Sequence, residues 1–116
     1  MPTAPLLDQQ YLNSNYHDAG YGYLLPELLQ LLSGQALLSL QTLQTLYRQG
    51  TFAALAEEAH SLKGTAGSVG AAALAELAAA LEQAAHDHDP HQTAQLLDRL
   101  QQTTQETCRA ITEELQ

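Results

Sequence analysis

The chain is 116 residues long, enough for one buried core, and its apolar content is carried by leucine and alanine, with no tryptophan and one phenylalanine, Phe52. Thirteen acidic side chains against four basic ones give a formal charge of −9, with Lys63 the only lysine, which excludes nucleic acid as a partner because phosphate backbones need clustered Lys and Arg. A single cysteine, Cys108, excludes an internal disulfide framework and fits a reducing cytoplasm, and no transmembrane span or secretory signal is visible.

Residues 1–22 are mixed, with Pro2, Pro5, Gly20 and Gly22 around Leu6, Leu7, Tyr11 and Leu12. They predict a short helix near 6–14 followed by a loop. Tyr11, Tyr16, Tyr21 and Tyr23 are expected to pack this segment onto the end of the molecule. From there Leu25, Leu29, Leu32, Ala36, Leu40, Leu43 and Tyr47 recur every three or four residues and stay on one helical stripe. The phase survives Ser33-Gly34, so one long helix to about residue 48 is predicted, with Pro26 in its first turn and Gly50 at its end.

Thr51 is a plausible N-cap for the next helix, whose core stripe is Leu55, Ala59, Leu62, Ala66 and Val69, ending around Gly70. Residues 71–85, AAALAELAAALEQAA, form a third helix with Leu74, Leu77, Leu81 and Ala85 inward. The run HDHDPH closes it, with Asp89 as N-cap and Pro90 at the first position of the last helix. That helix is expected to bury Leu97, Leu100, Thr104, Cys108, Ile111 and Leu115. Strongly helical segments with short connections predict an all-α fold: an antiparallel up-down four-helix bundle over 23–116, preceded by the short N-terminal helix, as one domain spanning 1–116.

The stretch AHSLKGTAGSVGA, residues 59–71, breaks the helical rule by holding Gly64, Gly67 and Gly70 just after His60 and Lys63. Each glycine in a helix interior costs about 1 kcal/mol relative to alanine. On a wheel His60 points roughly 150° from the centre of the core stripe, toward solvent. Ala53, Ala56, Glu57, Lys63, Gly64 and Gly67 share its side. Small residues on that side let another protein surface approach the imidazole, or let a neighbouring helix pack tightly; geometry alone leaves both open. The chemistry favours the first. A neutral imidazole is a good nucleophile, most of it is neutral at pH 7, and a lysine one turn away suits a phosphoryl group.

His60-Ser-Leu-Lys63-Gly64-Thr-Ala-Gly67-Ser-Val-Gly70-Ala resembles the signature of histidine-containing phosphotransfer (HPt) domains, and Leu74, Leu77 and Leu81-Glu82 continue it. The wording is similar to HPt modules of bacterial hybrid sensor kinases. The resemblance implies a relay in which His60 takes a phosphoryl group at Nε2 from a receiver-domain aspartate and passes it to a second receiver. It implies that Lys63 stabilises the phosphoryl group, that Gly64 keeps the face open, and that Glu82 orients His60 through its other ring nitrogen. Ala53, Ala56, Glu57 and Gly67 would then meet the docking receiver. It implies no cofactor on this chain, Mg²⁺ being expected only on the partner receiver. It also implies no ATP site, a monomer, no direct membrane contact, and a cytoplasmic location, either free or as the C-terminal module of a membrane-anchored sensor kinase.

Other readings carry less. A helical interaction module that binds receivers without phosphate is opposed by the intact His60-Lys63-Gly64 set. The dimerisation helices of a histidine kinase place their histidine in a different context from Ser61-Leu62-Lys63. GxxGxxG with no preceding strand is not a nucleotide-binding loop. His86, His88 and His91, with Asp87 and Asp89, are read as solvated rather than as a metal site, and Cys108 as a packed thiol.

Overall fold

The computed structural model describes residues 4–116; residues 1–3, including Pro2 of the predicted N-terminal segment, lie outside it. Asp8 caps the first helix by accepting a hydrogen bond from the Tyr11 amide at 3.1 Å, so α1 begins at Gln9 rather than Leu6. α1 (Gln9–Leu12) runs on into a π-type turn, Asn13–His17, and a 3₁₀ turn, Gly22–Leu24, leads into the bundle. The segment predicted as a loop is therefore partly helical.

Two of the four N-terminal tyrosines pack as expected. The hydroxyls of Tyr11 and Tyr16 donate to the Ser68 carbonyl at 3.4 and 2.7 Å. Tyr21 and Tyr23 do not: they stay 53% and 76% exposed. The His17 ring covers the α-carbon of Gly22, and the tyrosines on either side are left in solvent.

α2 (Leu25–Gln49) is one helix through Ser33-Gly34, with Pro26 in its first turn and Gly50 closing it at φ +72°. Its buried residues are Leu25, Leu29, Leu32, Ala36, Leu40 and Leu43, the predicted stripe without its last member, Tyr47, which is half-buried. α3 (Phe52–Ser68), α4 (Ala72–His86) and α5 (Pro90–Glu114) follow. Only two or three residues join successive helices, so each runs back along its predecessor. α2 and α4 both pack on α3 and α5, which closes a four-helix ring around the leucine core. Among the described residues no helix is long and apolar enough to cross a membrane.

The α3–α4 contact is the most extensive of the four. Both helices bury small residues, Ala56, Ala59 and Ala66 in α3 and Ala78 and Ala85 in α4. Small side chains let two helix backbones draw close, and this closeness brings a side chain of α4 within reach of α3's outer face.

α5 departs from its predicted stripe. Leu97, Leu100, Thr104 and Ile111 are buried, but Cys108 and Leu115 are only half-buried, while Thr93, Leu96, Thr103 and Thr107 go inside. The helix packs against both α2 and α4, so its buried arc is wider than one stripe. Thr93 and Thr107 are tolerated there because a hydroxyl can bond a carbonyl one turn back, whereas the buried Thr104 hydroxyl has no partner among the described residues. Thr93 donates to the Asp89 carbonyl and Thr107 to that of Thr103, each at 2.7 Å. The Cys108 thiol lies 3.9 Å from the Ser33 carbonyl, at the α2–α5 seam.

Candidate functional site

His60 lies in the middle of α3 on the side turned from the leucine core, with its side chain 66% exposed. Its Nδ1 is 3.0 Å from Oε2 of Glu82, which reaches across from α4. The other oxygen, Oε1, accepts a hydrogen bond from Lys63 Nζ at 3.1 Å. Glu82 is thus shared by two α3 residues one turn apart. Three residues that are distant or unremarkable in sequence converge on one carboxylate.

The charge state of that carboxylate fixes the histidine. The Lys63 hydrogen bond, aided by the charges of Lys63 and His60, holds Glu82 below its ordinary value of 4.5, against an opposing effect of partial burial. An ionised carboxylate only accepts hydrogen bonds. Nδ1 of a neutral His60 must therefore be the donor, which leaves the lone pair on Nε2. Among the described residues no donor or acceptor engages Nε2.

Gly64 and Gly67 occupy the same helix beyond His60. A β-carbon built on either meets nothing within 4 Å, so no neighbouring helix packs tightly against them. Of the two explanations for small residues here, close internal packing is removed. Gly70 has a different reason: its φ is +74°, and a β-carbon would meet the Tyr11 ring at 3.2 Å and the Asp8 carbonyl at 3.4 Å.

Ala53 and Glu57 are exposed and Gly67 is half-exposed, so they form surface around the imidazole. Ala56 does not. It is 2% exposed and lines the floor of a shallow pocket with Glu57, His60, Glu82 and His86. Glu82 and His86 of α4 line the same pocket, so Ala56 lies on the side of α3 that meets α4.

His86 is the residue that sequence reasoning placed elsewhere. Its Nε2 stands 3.8 Å from Glu82 Oε2, one turn further along α4. The signal was the four-residue spacing Glu82 to His86, hidden by grouping His86 with the HDHDPH run. That run is split in the fold. His88 adopts φ +52° and lays its ring edge-on to Phe52, with centroids 5.8 Å apart. Among the described residues no three His, Cys, Asp or Glu side chains are grouped to hold a metal ion.

An exposed imidazole with one nitrogen anchored and the other free, on a four-helix ring, is a site suited to accepting a group from a visiting protein. A scan against protein-family models matches the Hpt domain over residues 27–110, and the chain belongs to that family. Comparisons with curated proteins and with solved structures find no match. Hpt domains are phosphocarriers of histidine phosphorelays, not kinases, and they interact with receiver domains of response regulators.

Proposed function

We propose that His60 is the phosphoryl-accepting residue of this Hpt domain and that the chain carries phosphate between two receiver domains. The observation that supports this most directly is the His60–Glu82 pair, Nδ1 to Oε2 at 3.0 Å, in an imidazole 66% exposed. In the forward step the Nε2 lone pair attacks the phosphorus of a receiver's aspartyl phosphate. The Nε2–P bond forms, the P–O bond to the aspartate breaks, and the carboxylate leaves with the electron pair. Nδ1 keeps its proton throughout, and Glu82 stabilises the positive ring. The second receiver's aspartate reverses the sequence.

Little beyond in-line positioning and charge stabilisation is asked of a protein in such a transfer. Glu82 orients the ring, Lys63 supplies the positive charge, and Gly64 and Gly67 leave the face without side chains. Ala53 and Glu57 border the same face and would touch the receiver, with Gly67 at its other end. Mg²⁺ would come with the receiver, and nothing in this reading requires an ATP site, a second copy, nucleic acid or a membrane. We take residues 1–116 as a single domain, working in the cytoplasm either alone or as the last module of a bacterial hybrid sensor kinase.

The test is to mix the protein with a receiver phosphorylated by labelled phosphate. Acid-labile, base-stable label on wild type and none on His60→Gln is the expected result. Label that stays on every receiver tried, while the proteins still bind, overturns the carrier reading in favour of an interaction module.

A further inference from the structure

Glu82 has more candidates for its charge than it can serve at once. In the resting site Lys63 takes Oε1 and His60 takes Oε2, while His86, 61% exposed, waits 3.8 Å from Oε2 without a hydrogen bond. We propose, resting on the carrier reading, that His86 is a positioning residue for His60: it closes on Glu82 as a cation when Lys63 turns to the phosphoryl group.

The charges at the site favour such an exchange. A phosphoryl group brings about −1.5 to −2 charges at pH 7, and Lys63 is the only lysine in the chain. Once Lys63 is drawn to the phosphate, Glu82 keeps the positive His60 ring on Oε2 but loses the lysine on Oε1, while the site as a whole has gained negative charge. The groups facing His86 are Glu82 from its own helix and Glu57 and His60 from α3; no side chain of α2 or α5 lines this pocket. Asp87, the next residue, is engaged by the Gln83 side chain at 3.0 Å. Both nitrogens of a phosphorylated His60 are in use. His86 is the one group lining the pocket that can still become positive, and it does so by taking a proton from solvent.

Reciprocity then gives the device a consequence. If phosphorylation of His60 raises the proton affinity of His86, protonation of His86 favours phosphorylated His60 by the same factor. Phosphoryl occupancy of this carrier would rise as pH falls through the titration of His86, and Lys63 and Glu82 set the size of the effect.

The experiment follows the His86 imidazole by NMR through a pH titration, before and after His60 is labelled with phosphoramidate, a small donor that phosphorylates imidazole nitrogen. The midpoint is expected to move up by about one pH unit, tenfold in proton affinity, as an added charge partner commonly does. Lys63→Ala, with no phosphate present, is expected to raise the same midpoint by leaving Glu82 without its lysine. A His86 midpoint that ignores the state of His60, or that Lys63→Ala leaves in place, overturns the exchange while the label on His60 keeps the carrier reading standing. Failure of both phosphoramidate and phosphorylated receivers to label His60 removes the two together.

Discussion

Gly64 lies one helical turn beyond His60, and the space above its α-carbon is empty to at least 4 Å. A helix-interior glycine that packs against nothing has no structural reason to remain glycine. Replacing it by alanine should therefore stabilise the fold by about 1 kcal/mol, the usual helix-propensity difference. If the bare backbone serves a visiting receiver, the same variant should transfer phosphoryl more slowly. Denaturant unfolding and a transfer time course on Gly64→Ala measure the two sides. A more stable variant that transfers at the wild-type rate would show that docking does not use this gap.

Lys63 is bonded to Glu82 at 3.1 Å and its side chain is 39% exposed, so it can reach outward when a phosphate arrives. At about 4 Å one unit charge contributes about 1 kcal/mol in water and several times more where solvent is displaced. Lys63→Ala should slow transfer at least about fivefold, the rate equivalent of that lower bound. The fold should be little affected, since partly exposed ion pairs add little to stability. Rapid-quench measurement of the first transfer step distinguishes this from a binding defect.

The Lys63 hydrogen bond that lowers the proton affinity of Glu82 also makes stability pH-dependent, with a definite sign. A carboxyl whose folded value lies below its unfolded one stabilises the fold fully above the unfolded value, here 4.5, and loses that contribution as pH falls through the folded value. Wild type should thus be more stable than Glu82→Gln above pH 4.5, and the margin should shrink as pH falls below that value through the folded one. Urea midpoints for both proteins between pH 7 and about pH 3, below the ordinary carboxylate range, test this. A margin that widened in acid would contradict the ion-pair geometry.

Most of the bundle was legible because single-stripe helices write their packing directly into residue spacing. α2 buries Leu25 through Leu43 as its three-four rhythm implies, and Asp89-Pro90 opens α5, with the Asp89 carboxylate accepting from the Gln92 amide at 3.0 Å. Spacing fails where a helix serves two neighbours. Ala56 and three of the buried threonines of α5, Thr93, Thr103 and Thr107, were missed by a wheel with one assumed inward direction, on helices that each pack against two neighbours. Caps were legible in identity more than in geometry: Thr51 precedes α3, but its side chain makes no capping bond. At the site, His60, Lys63 and Gly64 sit on one helix and could be read from its period. Glu82 depended on the family resemblance, because its reach from α4 to α3 is a contact between helices that no local pattern encodes. His86, by contrast, was present as a four-residue spacing from Glu82 and masked by the histidine-rich run that follows it.

Gly70 joins the site-bearing helices to the N-terminal segment, and its replacement should separate stability from chemistry. Its carbonyl accepts from the Asp8 amide at 2.8 Å, while the Pro5 carbonyl accepts from the Ala73 amide at 2.9 Å, so the segment is strapped across the α3–α4 turn. At φ +74° an alanine costs about 1–2 kcal/mol for its backbone alone. Its β-carbon would also press on Tyr11 at 3.2 Å, beside the tyrosine hydroxyls that close the end of α3 on Ser68. Gly70→Ala should therefore lower stability by at least about 1 kcal/mol, the opposite sign to Gly64→Ala, and raise amide exchange of Asp8 and Ala73. His60 is ten residues away on a helix held by its own core contacts, so transfer per folded molecule should stay near wild type. If Gly70→Ala instead abolished transfer with the fold intact, the strap would have to be counted as part of the receiver-facing surface.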